Sequence, residues 1–305
     1  MDLRQLRYFI GVAETCTFNG AAARMNVSQS SVSRRIRDLE SDIGVKLFER
    51  AQDGTHITQA GRILLEHAKE IIQQVETTRR EVREGAGLPA GPVCVGMSSA
   101  CAQLFMSPLV RKAEYDCPAV QLRLVEGTQY HLLAAIETGD VDLALMVSPP
   151  SLITTPISYG PAEQLYFVRR PGKFPISGLA DLAEVPMVLF PRPSTNRDYL
   201  DQSAAVFGVK LAVKYEISDI VVQKQLIRDG GVGGILPFAT VADEVVDGQL
   251  DVFPISNLTI RRAIVGRRHG IPLRSIQIIR TFMEDIIRSK LEAAEERARS
   301  NGVFA

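Results

Sequence analysis

No apolar run in the sequence approaches the roughly 18 residues that a membrane-spanning helix needs. The first residues, Met1-Asp2-Leu3-Arg4, lack the basic-then-apolar order of a secretion signal. A soluble, cytoplasmic protein with no membrane partner is expected. Cysteine is scarce: Cys16, Cys94, Cys101 and Cys117 fit no zinc spacing, and His56, His67, His131 and His269 pair with none of them as ligands. No metal or disulfide staple is expected, and the thiols read as reduced and mostly buried. Neither sign of charge is in excess, with 35 Lys and Arg against 35 Asp and Glu. Any signal for nucleic acid must therefore be local. Catalytic signatures are missing too: there is no nucleophile elbow, phosphate loop, metal motif or carboxylate dyad. The glycine-rich Gly231-Val232-Gly233-Gly234 precedes a predicted strand, whereas a dinucleotide fingerprint follows one. Neither an enzyme nor a cofactor is expected.

What is present is a chain of 305 residues, 46% hydrophobic and 23% charged, which suits two or three compact globular units. Residues 2–14 read as an amphipathic helix, with Leu3, Leu6, Phe9, Ile10 and Ala13 at helical spacing and Asp2 as its cap. A second helix is expected after Asn19 as N-cap, running through Met25, and a third after Ser28. In the third, Val32, Ile36, Leu39 and Ile43 form one buried stripe, and Gly44 ends it. Residues 46–50 and 55–58 then flank Asp53-Gly54, a hairpin-turn dipeptide. Three short helices followed by a hairpin make a winged helix-turn-helix.

Residues 59–85 lack proline and carry Leu64, Ala68, Ile71, Val75, Thr78 and Val82 at alternating steps of four and three. That period near 3.5 marks a seam for another helix, and a dimerising helix is favoured over one packed on its own domain. Glycines and proline in 85–91 form a hinge. From Pro92 onward, strands expected at 93–96, 120–125, 142–147, 165–169, 187–190, 213–217 and 234–236 alternate with helices, as in a mostly parallel α/β sheet. The layout of 136–145 (helix end, glycine turn, apolar strand) is echoed at 227–236, which suggests two half-domains with a ligand cleft between them.

With the apolar stripe of the third helix facing inward, Ser30, Arg34 and Arg37 point outward. Gln29 and Ser33 flank them, and Ser28 and Arg35 lie beside them. Arginine reads guanine bidentately, glutamine reads adenine, and serine serves bases or phosphates, so on the second helix of a helix-turn-helix this face is expected to read the major groove rather than to be an ordinary solvated face. Arg50 and His56 on the wing, and Arg4 and Arg7 on the first helix, are candidates for backbone contacts.

Several of these stretches together identify a family. Residues 1–65 resemble the DNA-binding domain of LysR-type transcription regulators. The resemblance is carried by Leu3-Arg4-Gln5-Leu6-Arg7-Tyr8-Phe9, Phe18 with Ala21-Ala22, Val27-Ser28-Gln29, Val32-Ser33-Arg34, Leu47-Phe48-Glu49-Arg50 and Thr58-Gln59-Ala60-Gly61. It extends more loosely through Leu124-Val125-Glu126-Gly127, Gly139-Asp140-Val141-Asp142 and Leu236-Pro237. Two departures stand out: Ser30 and Ser31 occupy positions where the family often places proline, and the wing tip carries Asp53 where arginine is common.

The resemblance implies an α+β multidomain chain. A winged helix-turn-helix (1–58) is followed by a dimerising linker helix (59–86) and a hinge (87–91). A two-lobed α/β domain like the periplasmic binding proteins completes it, with lobe I at 92–161 and 266–300 and lobe II at 162–265. It also implies a homotetramer built from linker-helix dimers, promoter DNA as a partner, RNA polymerase as a candidate partner, and a non-covalent small-molecule effector that alters DNA bending. Carried over, the effector site comprises Ser98, Ser99, Ala100, Thr128, Ser194, Thr195 and Asn196 at helix starts, with Ser148 and Ser218 on crossover strands beside it. Hydroxyls and free N–H groups suit an anionic effector, although the same residues serve equally as N-caps. Arg192 and Arg197 either meet that anion or face solvent, and Cys101 is either a redox-sensing thiol of the cleft or a buried spectator. An enzyme carrying a DNA-binding appendage and a transport-type binding protein are the competing classes.

Overall fold

The computed structural model describes residues 1–51, 54–85, 91–147, 157–172, 176, 178–267, 273–300 and 302. The chain divides into two compact units, Met1–Ala86 and Gly87–Ala305.

In the first unit, α1 (Leu3–Thr15) starts with a reciprocal cap: the Asp2 carboxylate accepts from the Gln5 N–H at 2.7 Å, and the Asp2 N–H donates to Gln5 Oε1 at 2.8 Å. The next helix, α2 (Phe18–Met25), is capped by Thr17 rather than by Asn19, which already lies inside it. Thr17 has the extended backbone a cap requires, and its hydroxyl accepts from the Gly20 N–H at 3.0 Å. Asn26, at φ 58°, turns the chain toward α3 (Gln29–Ile43), which is capped by Ser28 and closed by Gly44 at φ 84°.

Val32, Ile36 and Leu39 enter a core with Leu6, Phe9, Val12, Ala21, Leu47 and Phe48. Ile43, expected in the same stripe, is 39% exposed because the last turn of α3 runs past the core. Glu40 is buried instead, and its carboxylate accepts from the N–H groups of Leu47 (2.9 Å) and Phe48 (3.3 Å) and from Lys46 Nζ (2.7 Å). It thereby ties α3 to the wing, where β1 (Phe48–Ala51) pairs antiparallel with β2 (Gly54–Ile57).

The linker helix α4 (Gln59–Gly85) has 27 residues, about 40 Å of helix. It presses closely on the wing lead-in, since a Cβ at Gly61 would lie 2.4 Å from the Leu47 carbonyl oxygen. Ala60, Leu64, Leu65, Ala68 and Ile72 pack on the core of the first unit. The start of the expected heptad seam is therefore occupied by the domain itself. Only beyond it does the seam open: Ile71 is 36% and Val82 70% exposed.

The second unit holds a six-stranded sheet of order β4-β3-β5-β10-β6-β9 and a separate parallel pair, β7-β8. In chain order its elements are β3 (Gly91–Met97), α5 (Ser99–Asp116), β4 (Val120–Glu126), α6 (Gln129–Thr138), β5 (Leu143–Val147) and β6 (Ile157–Arg169). They continue with β7 (Met187–Leu189), α7 (Thr195–Val206), β8 (Val213–Glu216), α8 (Ile220–Asp229), β9 (Gly234–Pro237), α9 (Phe238–Val246), β10 (Asp251–Gly266) and α10 (Arg274–Ser300).

The sheet is mixed rather than mostly parallel. β3 runs parallel to β4 and β5, but β10 is antiparallel to both β5 and β6, and β6 to β9. The halves are joined by the long strands β6 and β10. β10 pairs with β5 through Arg262–Gly266 and with the far end of β6 through Asp251–Pro254. Across the back, α10 contributes Ile279, Met283, Ile287 and Leu291 to the core around β3 and α5. Its last turns place Ala294 and Ala298 in the other half, against Tyr166 and Phe238.

Candidate nucleic-acid interface and effector cleft

On α3, Ser28, Gln29, Ser30, Arg34 and Arg37 are exposed, and Ser33 and Arg35 are half-buried. The start of the helix is organised by hydroxyls where proline is absent. Ser28 Oγ accepts from the Ser31 N–H at 3.3 Å and lies 3.0 Å from the hydroxyls of both Ser30 and Ser31. The three arginines differ. Arg35 turns back toward α1, 3.8 Å from the Asp2 carboxylate. Arg37 lies along its own helix, its Nε donating to the Ser33 carbonyl at 3.4 Å. Arg34 makes no ion pair among the described residues and stands free on the outer face. Arg7 is engaged with Glu76 of α4 at 2.5 Å. The backbone of Arg50 sits in β1 opposite Thr55, while its side chain lies outside the described residues.

In the second unit a cleft of about 430 Å³ opens where four helices begin. Its lining includes Ser98, Ser99 and Ala100 at α5, Thr128 and Gln129 at α6, Ser194 and Asn196 at α7, and Ser218 and Asp219 at α8. Most of the residues singled out as effector-binding are thus brought together. Thr128 Oγ1 and Ser194 Oγ cap their helices, accepting from the N–H groups of His131 and Arg197. Ser98 Oγ caps nothing and is buried without a partner among the described residues. Thr195 is not in the lining; its hydroxyl is buried with no partner among the described residues. Ser148 lies outside the described residues.

Two acidic residues in the lining, Glu126 and Asp219, were not among the expected effector residues. Asp219 carried a usable signal, a Ser-Asp pair before an apolar helical run. Its Oδ1 accepts from the N–H groups of Val221 (2.7 Å) and Val222 (3.3 Å).

Neither arginine considered for the effector faces the cleft. Arg192 pairs with Asp201 at 2.6 Å. Arg197 is held by Asp201 (2.8 Å), Glu216 (2.7 Å) and the Phe190 carbonyl (3.2 Å). Cys101 is also absent from the lining. It is wholly buried and receives a hydrogen bond from Arg262 Nη1 at 3.4 Å. Arg262 is itself fully buried, paired in a fork with Glu163 at 2.7 and 3.1 Å and set over the Phe105 ring at 5.0 Å. Burial opposes its charge, but the Glu163 carboxylate outweighs that and holds the guanidinium protonated.

Among the described residues no cluster of side chains could hold a metal ion, and no helix is long and apolar enough to cross a membrane.

Comparison with known proteins bears on both units. The family model described as bacterial regulatory helix-turn-helix protein, lysR family, matches residues 3–62, and the LysR substrate binding domain matches residues 86–269. The transcriptional dual regulator GltC of Bacillus subtilis is 30% identical over 251 residues, which cover 80% of this chain and 83% of that protein. The HTH-type transcriptional regulator BbuR of Bordetella bronchiseptica is 26% identical over 298 residues, 95% of this chain and 91% of that protein. Full-length CbnR, solved in complex with its target DNA, aligns at a TM-score of 0.66 with 26% identity, covering 95% of this chain and 100% of that one.

Proposed function

This chain belongs to the LysR family of bacterial regulatory helix-turn-helix proteins, and from that premise we propose that the Arg34 face of α3 reads promoter DNA in the major groove while a small molecule in the cleft modulates that binding. The protein is a DNA-binding transcription regulator and not an enzyme. The observation that carries the base-reading assignment is the contrast on α3. Arg35 is drawn to Asp2 and Arg37 to its own helix, whereas Arg34, beside exposed Gln29 and Ser30, is uncommitted. A guanidinium without a protein partner is the group best placed for a bidentate contact to guanine.

The effector is non-covalent, no further cofactor is involved, and the protein works in the cytoplasm. Self-association runs through the exposed part of α4, first to dimers and then to tetramers, and RNA polymerase is a further partner on the promoter.

Footprinting on DNA upstream of the protein's own gene, at stated salt, tests this reading. We expect an extended protected region spanning at least two half-sites, lost in Arg34→Ala. Uniform, salt-labile binding that Arg34→Ala leaves unchanged would overturn it.

A further inference from the structure

We infer that the effector is a zwitterion of the α-amino-acid type, its carboxylate seated among the helix N-termini of the cleft and its ammonium held by Glu126 and Asp219. The inference rests on the effector-cleft reading above and names the ligand class.

Two features of the lining pull in opposite directions. Four helices begin there, and their free N–H groups and positive dipole ends favour an anion. The charged side chains do the reverse. Among the described residues the lining holds two carboxylates and no Lys, Arg or His, and residues 148–156, which follow Val147 in the chain, contain no charged residue at all. Cleft arginines would be the usual complement to a simple anion, yet Arg192 and Arg197 are consumed by Asp201 and Glu216. A purely anionic ligand would be favoured by the helix N-termini but would meet the two carboxylates with no side-chain cation among the described lining residues to offset them. A ligand carrying both charges satisfies both features.

The details fit that division. Ser98, in the lining at the start of α5, leaves its buried Oγ without a partner among the described residues, a hydroxyl that a small rotation of the side chain turns toward a carboxylate oxygen. Glu126 makes no ion pair among the described residues, and Asp219 spends only Oδ1 on capping α8. Glu126 ends β4 in one half and Asp219 precedes α8 in the other, so an ammonium shared between them would draw the halves together.

The test titrates the full-length protein calorimetrically with two matched panels, the common L-α-amino acids and the α-keto acids that share their side chains. At least one amino acid is expected to bind, with its keto acid weaker by about ten- to a hundredfold. Asp219→Asn keeps a capping oxygen for α8, and Glu126→Gln keeps the shape of the side chain. Each should erase that preference while the thermal midpoint holds. Keto acids bound as tightly as amino acids, preference surviving both substitutions, or no binding in either panel would each overturn the inference. A keto acid that binds at least as tightly as its amino acid and alters the footprint would sink the zwitterion while leaving the effector cleft standing.

Discussion

The hydroxyl of Ser99, at the start of α5, accepts a hydrogen bond from the backbone N–H of Ile220, at the start of α8, at 3.4 Å. The two helices begin in opposite halves of the effector unit, so this bond fastens the halves beside the cleft. Ile220 is buried, and water does not readily replace a lost partner for its N–H. In Ser99→Ala the Ile220 amide should exchange with solvent faster, and stability should fall by about 1 kcal/mol. Hydrogen exchange resolved at Ile220 measures this, and an unchanged rate would show that packing alone holds the halves.

Arg262 and Glu163 form the second tie, between neighbouring strands β10 and β6 inside the sheet. Truncating one partner of a buried pair strands the other charge. Arg262→Leu should therefore lower unfolding stability by roughly 3–5 kcal/mol. Replacing Glu163 by leucine in the same chain should recover much of that loss, because no charge is then left buried. Urea unfolding of the single and double variants checks the order, which would be reversed if Glu163 were tolerated without its partner.

Glu40 makes the DNA-binding unit acid-sensitive. Burial alone would raise its pKa, but the Lys46 ammonium and the N–H groups of Leu47 and Phe48 together bring it below the ordinary 4.5. A carboxyl depressed in the folded state stabilises fully above the unfolded value and loses that contribution as pH falls through the folded one. Protection of the Leu47 and Phe48 amides should thus hold above about pH 4.5 and decline below it. Glu40→Gln should lose protection already at neutral pH and show a flatter acid dependence.

The parts of this molecule that were legible in the sequence are those where local chemistry decides. Asp2, Ser28 and Gly44 bracket their helices because caps are short-range hydrogen bonds and backbone angles. The helix starts at Thr128 and Ser194 could be placed for the same reason. Long-range pairing was hidden. β10 contains Pro254, a bulge near Asn257 at φ 62° and the pair Arg261-Arg262, so its 16 residues do not alternate like one strand. Nothing local says that Arg262 lies inside, because Glu163, which makes its burial tolerable, is 99 residues away. The acidity of the cleft was hidden likewise: only the fold brings Glu126 and Asp219 to one lining and turns Arg197 out of it.

On α3, the arginines should separate by role. Arg34→Ala should relax sequence preference and weaken specific binding by about 1–3 kcal/mol. Arg35→Ala should cost less, since its guanidinium already leans toward Asp2 at 3.8 Å. Binding to matched specific and scrambled duplexes at fixed salt distinguishes the two. Equal losses on both duplexes for Arg34→Ala would reduce that residue to a phosphate contact.

The linker helix offers the last test, because its seam changes character along its length. Leu64 and Ala68 belong to the core of their own unit, so polar substitutions there should unfold the domain before they report on assembly. Val82 is 70% exposed on the same periodic line and touches none of that core. Val82→Lys should therefore leave the fold intact, and it should weaken self-association only if this stretch meets a second helix. Sedimentation of wild type and Val82→Lys over a concentration series, with circular dichroism as the control for folding, measures it. We expect the variant to dissociate at higher protein concentration than wild type with unchanged helicity. An identical association curve would move the dimer contact away from the end of α4.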